Sequence, residues 1–311
     1  MFNMNMPPLH TVDGQRLLSH IQQLESQDST KPLSSERLLE LSECCVQAGD
    51  IDKAYHYFAR FMSSHSQSIN FLSPFCRLLH RSGYAEYAAK LYGQYCEIYP
   101  NQASFFYNYA YYLRFAGAYE QAIQQYERAL SLNISQAEEV YLNIAVIYSD
   151  HLRNELAAKQ SLLQSLKAKP DYLPALYNLA NLAEEMGDKQ AALTLFNKII
   201  SIDADYFEAY ARLADILVFN DEHDSIIENM LRAARSPKAD LSTQIDLHFA
   251  LGKAFDDCKA YEKAFEHYNR ANALNSATMP EYSPGEFEDK IQQIINTLDS
   301  EWLKKYSSIS D

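Results

Sequence analysis

Apolar and small residues recur along the chain three or four positions apart, with polar residues between them. Residues 103–134 and 173–204 show this pattern best, each as two helix-length stretches joined by a turn that contains glycine. The spacing places apolar residues on one face and predicts paired amphipathic α-helices. Only 8 glycines and 10 prolines occur in 311 residues, fewer than proteins built from strands and tight turns use. The chain is therefore predicted to be all-α.

The helix pairs repeat about every 34 residues. Gly49, Gly83 and Gly117 stand 34 residues apart, and Gly187 follows two periods and two residues later. A helix–turn–helix unit of this length is the tetratricopeptide repeat (TPR), and the chain resembles TPR proteins. A marker position, five residues after the turn glycine where one is present, recurs as Ala54, Ala88, Ala122, Ala158, Ala192, Ile226 and Ala264.

The period predicts seven repeats with a further segment at each end. Residues 1–34 are predicted to form an N-terminal segment with a capping helix, and residues 279–311 a C-terminal capping helix and tail. Such covers keep the terminal repeats from exposing their core. The predicted fold is a right-handed TPR superhelix, an α-solenoid with terminal capping helices. Its repeats are residues 35–68, 69–102, 103–136, 138–172, 173–206, 207–240 and 245–278.

Three local features refine this prediction. Asp13 precedes an apolar face and is predicted to cap the N-terminal helix. Pro74 predicts that the first helix of the second repeat starts there or kinks. Ser283 and Pro284 are predicted to open the C-terminal helix. The apolar stripe of that helix consists of Phe287, Ile291, Ile294, Ile295 and Leu298.

Charge and cysteine content exclude several classes of protein. With 27 Lys+Arg against 41 Asp+Glu, the formal net charge is −14, which disfavours nucleic-acid binding because phosphate backbones need a basic surface. The five cysteines lack metal-ligand spacing, and their odd number argues against a disulfide framework. The first ten residues do not resemble a signal peptide, and no run of 18 apolar residues follows. We expect a cytoplasmic protein that does not insert into membranes.

The first helix of each TPR lines a concave groove, and its sixth position carries a repeated amide in this chain. Asn108, Asn143 and Asn178 occupy that position in three consecutive repeats, and Arg212 occupies it in the next. An asparagine there can donate to and accept from the backbone of an extended peptide. The row resembles the asparagine ladder of O-linked N-acetylglucosamine transferases. Two interpretations stay open: the asparagines bind peptide, or they bridge neighbouring helices.

The third repeat is rich in residue types that anchor protein interfaces. Tyr107, Tyr111 and Arg114 fall on its groove positions, and Arg77 precedes them by one repeat. Farther along, acidic residues dominate the groove positions: Glu184, Glu208, Asp215, Asp246 and Asp256. Either this polarity orients a peptide of opposite charge, or the acidic face is simply solvated.

Known chemical motifs are missing. No lysine occupies the fifth position of any first helix, so the carboxylate clamp of TPR cochaperones is absent. The sequence contains no HExxH, GxSxG, Walker or GxGxxG motif. The acidic run from Asp221 to Asp224 favours a solvated turn over a metal site. We therefore expect no catalysis, no cofactor and no bound metal.

The second half of the chain resembles the TPR region of bacterial TPR-containing sulfotransferases. The resemblance rests on residues 142–188, which include the insertion SDHLR, and on residues 247–275, which include LGKAFDD. Residues 282–295 look like the helix that leads into that family's catalytic domain. The family implies a strand and a loop that binds the cofactor PAPS directly afterwards. The chain ends near that point, so no residue takes over a catalytic or cofactor role.

Two functions stay open from the sequence. The chain is either a TPR scaffold or adaptor that binds a peptide or protein segment in its groove without catalysis, or the recognition half of a truncated or split TPR-sulfotransferase whose PAPS-binding domain lies elsewhere. Self-association through an end or convex face is a third hypothesis.

Overall fold

The computed structural model describes residues 11–64, 69–278, 284–298 and 302. Helices make up most of these described residues, and no β-strand occurs among them. The chain divides into two units, Met1–Leu195 and Phe196–Asp311. Within each unit, consecutive helices pack as hairpins, the arrangement of an α-solenoid. The predicted all-α solenoid class is confirmed.

The first unit consists of successive helices joined by short turns. Its helices are α1 (Val12–Thr30), α2 (Ser35–Ala48), α3 (Ile51–Ser64), α4 (Ile69–Arg81), α5 (Ala85–Ile98), α6 (Ala103–Phe115), α7 (Tyr119–Ser131), α8 (Ala137–Val146) with the π-helical turn Ile147–His151, α9 (Glu155–Ala168) and α10 (Leu173–Glu185). The next helix, α11 (Lys189–Ile202), contains the boundary between the two units. The N-terminal helix α1 precedes the hairpins α2/α3, α4/α5, α6/α7 and α8/α9, and the π-helical turn extends α8.

In most hairpins, a residue with a left-handed backbone conformation (positive φ) follows the first helix and ends it. In the α6/α7 turn, Gly117 has a φ of 79°, and the next amide, that of Ala118, returns to the carbonyl of Leu113 at 2.9 Å. This bond satisfies a terminal carbonyl and reverses the chain within a few residues. Arg153 and Lys259 hold the equivalent left-handed conformation in two hairpin turns that lack glycine, with φ of 51° and 63°.

Small and aromatic residues alternate in the core, as the repeat pattern predicts. Ala54, Ala88 and Ala122 are completely buried and let neighbouring helices approach closely. Phe58 and Phe75, from adjacent hairpins, stack with ring centroids 3.8 Å apart. Truncating a buried aromatic ring of this kind to alanine costs about 3–5 kcal/mol. The five cysteines are free thiols in this structure.

The N-terminal helix is attached to the first hairpin by apolar contacts and by one ion pair. Ile21 and Leu24 are buried. The Arg60 guanidinium on α3 contacts both carboxylate oxygens of Asp28, at 2.5 and 2.9 Å, and holds the pKa of Asp28 below its usual value. The N-cap is Thr11, whose Oγ1 accepts from the amide of Gly14 at 3.2 Å. The prediction that Asp13 caps this helix is therefore wrong, because Asp13 lies inside its first turn.

The second repeat departs from the sequence prediction at its proline. α4 begins at Ile69 and contains Pro74, so the prediction of a helix start at Pro74 is wrong. Buried neighbours on both sides of the proline, Leu72 and Phe75, keep this helix against the core and so favour its continuation. A kink at Pro74 stays a prediction.

The second unit contains α12 (Phe207–Ile216), α13 (Ser225–Ala233), α14 (Leu241–Asp257), α15 (Tyr261–Ser276) and α16 (Pro284–Thr297). The predicted sixth repeat, residues 207–240, has a short first helix, α12, followed by an extended connection. Residues of α14 bind that connection: Lys253 donates to the carbonyl of Leu217, and Asp257 Oδ2 accepts from the amide of Phe219 at 3.2 Å. These long-range contacts explain why α12 stops at Ile216.

The acidic run in the sixth repeat has structural roles. Asp224 is the N-cap of α13 and accepts from the amide of Ile226 at 2.8 Å. Asp221 accepts from the amide of His223 at 3.0 Å, and Glu222 forms an ion pair with a lysine of α15. Among the described residues, no group of three His, Cys, Asp or Glu side chains is placed to hold a metal ion.

Two histidines face each other in the α14/α15 hairpin. Their Nδ1 atoms, on His248 and His267, lie 2.9 Å apart, and His267 stacks on Phe255. Desolvation lowers the pKa of both imidazoles. The neighbouring His267 and Arg270 lower the pKa of His248 further and Glu266 opposes them, while His267 is also lowered by Arg235 and raised by Glu266.

The apolar stripe of α16 is exposed. Its members, Phe287, Ile291, Ile294, Ile295 and Leu298, have between 41% and 57% of their surface accessible. Ser283, at the predicted start of this helix, lies outside the described residues. The role of α16 as a cap therefore stays a prediction. Across the part of the chain that the structure describes, no helix has the length and apolar character to cross a membrane.

Candidate functional site

The three predicted asparagines adopt one common arrangement on α6, α8 and α10. In each of them the side-chain Nδ2 donates to the backbone carbonyl four residues earlier on the same helix. Asn108 donates to Ser104 at 2.7 Å, Asn143 to Glu139 at 3.0 Å, and Asn178 to Pro174 at 2.8 Å. The repeated bond fixes the side-chain conformation and leaves a second N–H and the carbonyl oxygen for other partners.

The middle asparagine also bridges two helices. Its Oδ1 accepts from the guanidinium of Arg114 on α6 at 3.2 Å, and its Nδ2 lies 3.3 Å from the hydroxyl oxygen of Tyr107. Asn143 therefore has the bridging contacts that one interpretation of the sequence predicts. A peptide that used its Oδ1 would share that acceptor with Arg114 or displace it.

Tyr107 is held in a fixed position at the centre of this network. Its hydroxyl donates to Glu139 Oε1 on α8 at 2.6 Å. Burial raises the pKa of Tyr107, and the hydrogen bond to Glu139 raises it further, so the phenol remains a donor at neutral pH. The chain Arg114–Asn143–Tyr107–Glu139 joins two successive first helices through polar side chains. Such a connected network restricts the rotamers of all its members.

The other predicted anchors of the third repeat form a cationic and aromatic patch. The guanidinium of Arg114 lies 4.7 Å from the ring centroid of Phe115 and 5.7 Å from that of Tyr111. His80 of the preceding hairpin packs on Phe115 at 4.3 Å, and desolvation followed by the charge of Arg114 lowers its pKa. Phe115 itself is exposed, so the patch presents an aromatic surface beside a cation.

Two of the predicted residues have other neighbours. Arg77 donates to Ser73 Oγ on its own helix at 2.8 Å. Arg212 belongs to the second unit, where its Nη1 lies 3.4 Å from Asp215 Oδ2. Neither contact tests a binding role, which stays a prediction for both residues.

Two cavities open near the asparagine row. The first, of about 450 Å³, lies at the beginning of α6 and α8 and includes Tyr107 and Glu139 in its wall. The second, of about 130 Å³, lies between the π-helical turn and α10 and includes Asn178 and Asn181. Sequence reasoning missed the second cavity and did not single out Asn181. The available signal was an asparagine at the ninth position of its repeat, directly after a repeat with an inserted residue.

A comparison with protein-family models identifies TPRs in the middle of the chain. Residues 103–133, 138–172 and 173–206 match the tetratricopeptide repeat model, so the chain contains TPRs at three of the predicted positions. A curated relative, the human protein O-mannosyl-transferase TMTC1, is 28% identical over 162 residues, which are 52% of this chain and 18% of that protein. The chain thus spans less than a fifth of this relative. The predicted resemblance to sulfotransferases is not supported by these matches.

Several solved structures are similar to this chain at low sequence identity. YrrB, described as a TPR protein with an unusual peptide-binding site, is 19% identical with a TM-score of 0.47, over 62% of this chain and 96% of that chain. A TPR protein from Parabacteroides merdae is 19% identical with a TM-score of 0.46, over 82% and 96%. MamA is 16% identical with a TM-score of 0.39, over 64% and 93%.

Proposed function

We propose that this chain is a protein-interaction scaffold that binds an extended peptide segment along the first helices of its repeats and performs no catalysis. The observation that carries the proposal is the common conformation of Asn108, Asn143 and Asn178. Three amides with one geometry, spaced by one repeat, suit a ligand that itself repeats, such as an extended backbone.

The asparagines hold the peptide backbone, and the neighbouring side chains supply anchors. Tyr107, Tyr111 and Arg114 provide aromatic and cationic contacts beside the row, and Arg77 lies one repeat before them. A binding role for Arg212, in the second unit, stays a separate prediction. The contact between Tyr107 and Glu139 supports this assignment, because an anchor that is already held in place loses little side-chain entropy on binding. The partner is a protein or peptide. Nucleic acid is disfavoured by the net charge of −14.

The competing interpretation is that the asparagines only bridge helices. The contact between Arg114 and Asn143 favours bridging at one of the three positions. The alternative of a split sulfotransferase, the cytoplasmic location and self-association rest on sequence alone and stay predictions.

A peptide-display selection tests the proposal. The chain is immobilised and exposed to a display library of random twelve-residue peptides, in parallel with a variant that carries Asn108→Ala, Asn143→Ala and Asn178→Ala. A matched control replaces three exposed amides on second helices, Gln124, Gln160 and Gln190, with alanine. Related peptides should be enriched by the wild type and the control but not by the asparagine variant. Equal enrichment by all three proteins contradicts the proposal.

A further inference from the structure

Arg114 on α6 is a partly buried arginine that forms no ion pair with any carboxylate of the described residues. This is unusual in a chain that carries 41 Asp+Glu against 27 Lys+Arg. Three other arginines each contact a carboxylate, Arg37 at 2.6 Å, Arg60 at 2.5 Å and Arg212 at 3.4 Å. Arg114 is therefore a positive charge whose counterion can come from a ligand.

The contacts of Arg114 hold its guanidinium in position and use only part of its hydrogen-bonding capacity. Its Nη1 donates to Asn143 Oδ1 at 3.2 Å, and the group lies over the rings of Phe115 and Tyr111, 4.7 and 5.7 Å from their centroids. Most of the five N–H donors of the guanidinium remain for a ligand. The carboxylate of the same network, Glu139, accepts a tyrosine hydroxyl at 2.6 Å instead.

His80 on α4 brings a second donor to the same rings. Its imidazole centroid lies 4.3 Å from that of Phe115 and 5.8 Å from that of Tyr111, the two rings that Arg114 also contacts. Neither nitrogen of this partly buried imidazole has a hydrogen-bond partner in the part of the chain that the structure describes. A neutral imidazole carries one N–H donor. Unused donors from two consecutive first helices thus lie beside one pair of aromatic rings.

The charges that act on His80 are positive. The titratable groups around it are Arg81 on its own helix and Arg114, Tyr111 and Tyr112 on α6. Desolvation lowers the pKa of His80, and the charges of Arg114 and Arg81 lower it further. An anion between His80 and Arg114 would stabilise the imidazolium and raise that pKa. Binding of an anion here should therefore take up protons and strengthen as the pH falls.

The ligand that fits these donors and rings is a carboxylate on an apolar stem. Guanidinium and imidazole donors form short, strong hydrogen bonds with carboxylate oxygens. Phe115 keeps 46% of its surface exposed, so the methylene groups of an acidic side chain can cover part of its ring. A main-chain carboxylate at the end of a peptide is the other source of this chemistry. Its neighbour is a polar backbone amide, so the exposed ring favours a side chain.

We propose that the patch formed by His80, Tyr111, Arg114 and Phe115 binds the carboxylate of a glutamate or aspartate side chain of the bound peptide. The inference rests on the proposed function and adds a sequence preference to it. Asn143 accepts from Arg114 and belongs to the proposed backbone-binding row. An acidic residue in the patch therefore sets the register of the peptide along the row.

Small probes test the patch without a peptide. N-acetyl-glutamate methylamide and N-acetyl-aspartate methylamide are titrated into the ¹⁵N-labelled full chain. N-acetyl-glutamine methylamide is the uncharged control, and N-acetyl-glycine presents a main-chain carboxylate. We expect a saturable shift of the Arg114 Nε–H signal with at least one acidic side-chain probe and none with the glutamine probe. No saturable shift with either acidic probe overturns the proposal, and tighter binding of N-acetyl-glycine overturns the assignment to a side chain.

Matched variants locate the effect. Arg114→Gln removes the charge, and Arg114→Lys keeps it. Arg128→Gln is the control, because Arg128 also lies over an aromatic ring, 5.7 Å from the centroid of Phe106, but on a second helix. Affinity for the acidic probe should fall about tenfold in Arg114→Gln, fall less in Arg114→Lys and stay unchanged in Arg128→Gln. Equal affinities in Arg114→Gln and Arg128→Gln contradict the proposal.

The pH dependence of binding gives a separate readout of His80. The carboxylates of the acidic probes stay ionised at pH 6.0. Lowering the pH from 7.5 to 6.0 should strengthen their binding to the wild type about threefold and leave binding to the His80→Gln variant unchanged. An equal rise in both proteins, or no rise in either, would overturn the placement of the carboxylate between His80 and Arg114.

Peptides enriched by display separate this inference from the proposed function. They are resynthesised with an amidated C terminus, and each glutamate or aspartate is replaced in turn by glutamine or asparagine. One replacement should weaken binding to the wild type about tenfold and leave binding to Arg114→Gln unaffected. If peptides bind but none depends on an acidic side chain, the inference fails and the proposed function stands. If the acidic probes bind at Arg114 but no peptide is enriched, the proposed function fails and the acidic preference of the patch stands.

Discussion

Gly252 on α14 packs closely against Tyr268 on α15, and this contact predicts the effect of replacing the glycine. A Cβ atom at this position would lie 2.6 Å from both Cδ1 and Cε1 of Tyr268, and 2.9 Å from Cγ. Since carbon atoms prefer separations of about 3.5–4.0 Å, the Gly252→Ala variant has to displace the tyrosine ring by about 1 Å. Three ring atoms are contacted at once, so no small rotation of the ring relieves the overlap.

Two opposing terms determine the size of the effect. Replacing a helical glycine with alanine gains about 1 kcal/mol through backbone entropy. Overpacking a close helix contact costs about 1–3 kcal/mol. At Gly252 the overlap is severe, so we expect a net loss of about 1 kcal/mol in the free energy of unfolding. At Gly93 the new Cβ would lie 3.2 Å from Cζ of Tyr109, which is half-buried and has to move only slightly. Gly93→Ala should therefore gain about 0.5 kcal/mol.

Urea unfolding followed by circular dichroism measures both variants against the wild type. Hydrogen exchange at α14 and α15 assigns any loss in the Gly252→Ala variant to that hairpin, since distant repeats unfold with their own stabilities. A Gly252→Ala variant as stable as the wild type, or one more stable than Gly93→Ala, would refute the close approach from which the sign was worked out.

Three further predictions concern unpaired, titrating and strained groups. The hydroxyl of Tyr126 is buried without a hydrogen-bond partner among the described residues, so Tyr126→Phe should raise the free energy of unfolding by about 1 kcal/mol. Tyr107→Phe should lower the free energy of unfolding by about as much, because it removes the hydrogen bond to the Glu139 carboxylate. Equal urea midpoints for the two variants would contradict this prediction. The pKa values of His248 and His267 are lowered in the folded state, so the unfolded chain binds more protons below pH of about 6.5. The thermal midpoint should therefore fall when the pH is lowered from 7.5 to 5.5. If the midpoint of the His267→Gln variant falls as steeply as that of the wild type, the histidine pair is not the cause of the pH dependence. Arg153→Gly should stabilise the chain by about 0.5 kcal/mol, because glycine adopts the left-handed backbone conformation of this position without the steric cost of a side chain. A lower melting temperature of the variant would contradict this prediction.

The repeat architecture was predictable because its signals are local. Gly117 adopts the left-handed backbone conformation that its turn requires, and the small residue Ala122 lies where two helices are in contact. The spacing of such residues along the sequence therefore shows the repeat period. The end of α12 at Ile216 was not predictable. It depends on contacts from Lys253 and Asp257, more than 30 residues away, to an extended segment without a pattern of its own.

The candidate site was predictable in part. The positions of Asn108, Asn143 and Asn178 follow from the period, but their shared side-chain conformation does not. The cavity at Asn181 was missed for a different reason. The longer step between Ala122 and Ala158 shows that residues are inserted, yet nothing in the sequence tells which turn absorbs them or that Ser149 and Asp150 then line this cavity.

The central claim is that the asparagine row binds the backbone of an extended peptide, and backbone methylation tests it most directly. A display-selected peptide is resynthesised with a single N-methyl group at each position in turn, and its affinity is measured by fluorescence anisotropy. Methylation at positions that face the row should weaken binding to the wild type about tenfold and leave the weaker binding to the triple Asn→Ala variant unchanged. If no backbone methyl group alters the affinity for the wild type, and the triple Asn→Ala variant also melts earlier than the wild type, the asparagines hold the helices together and the account is wrong.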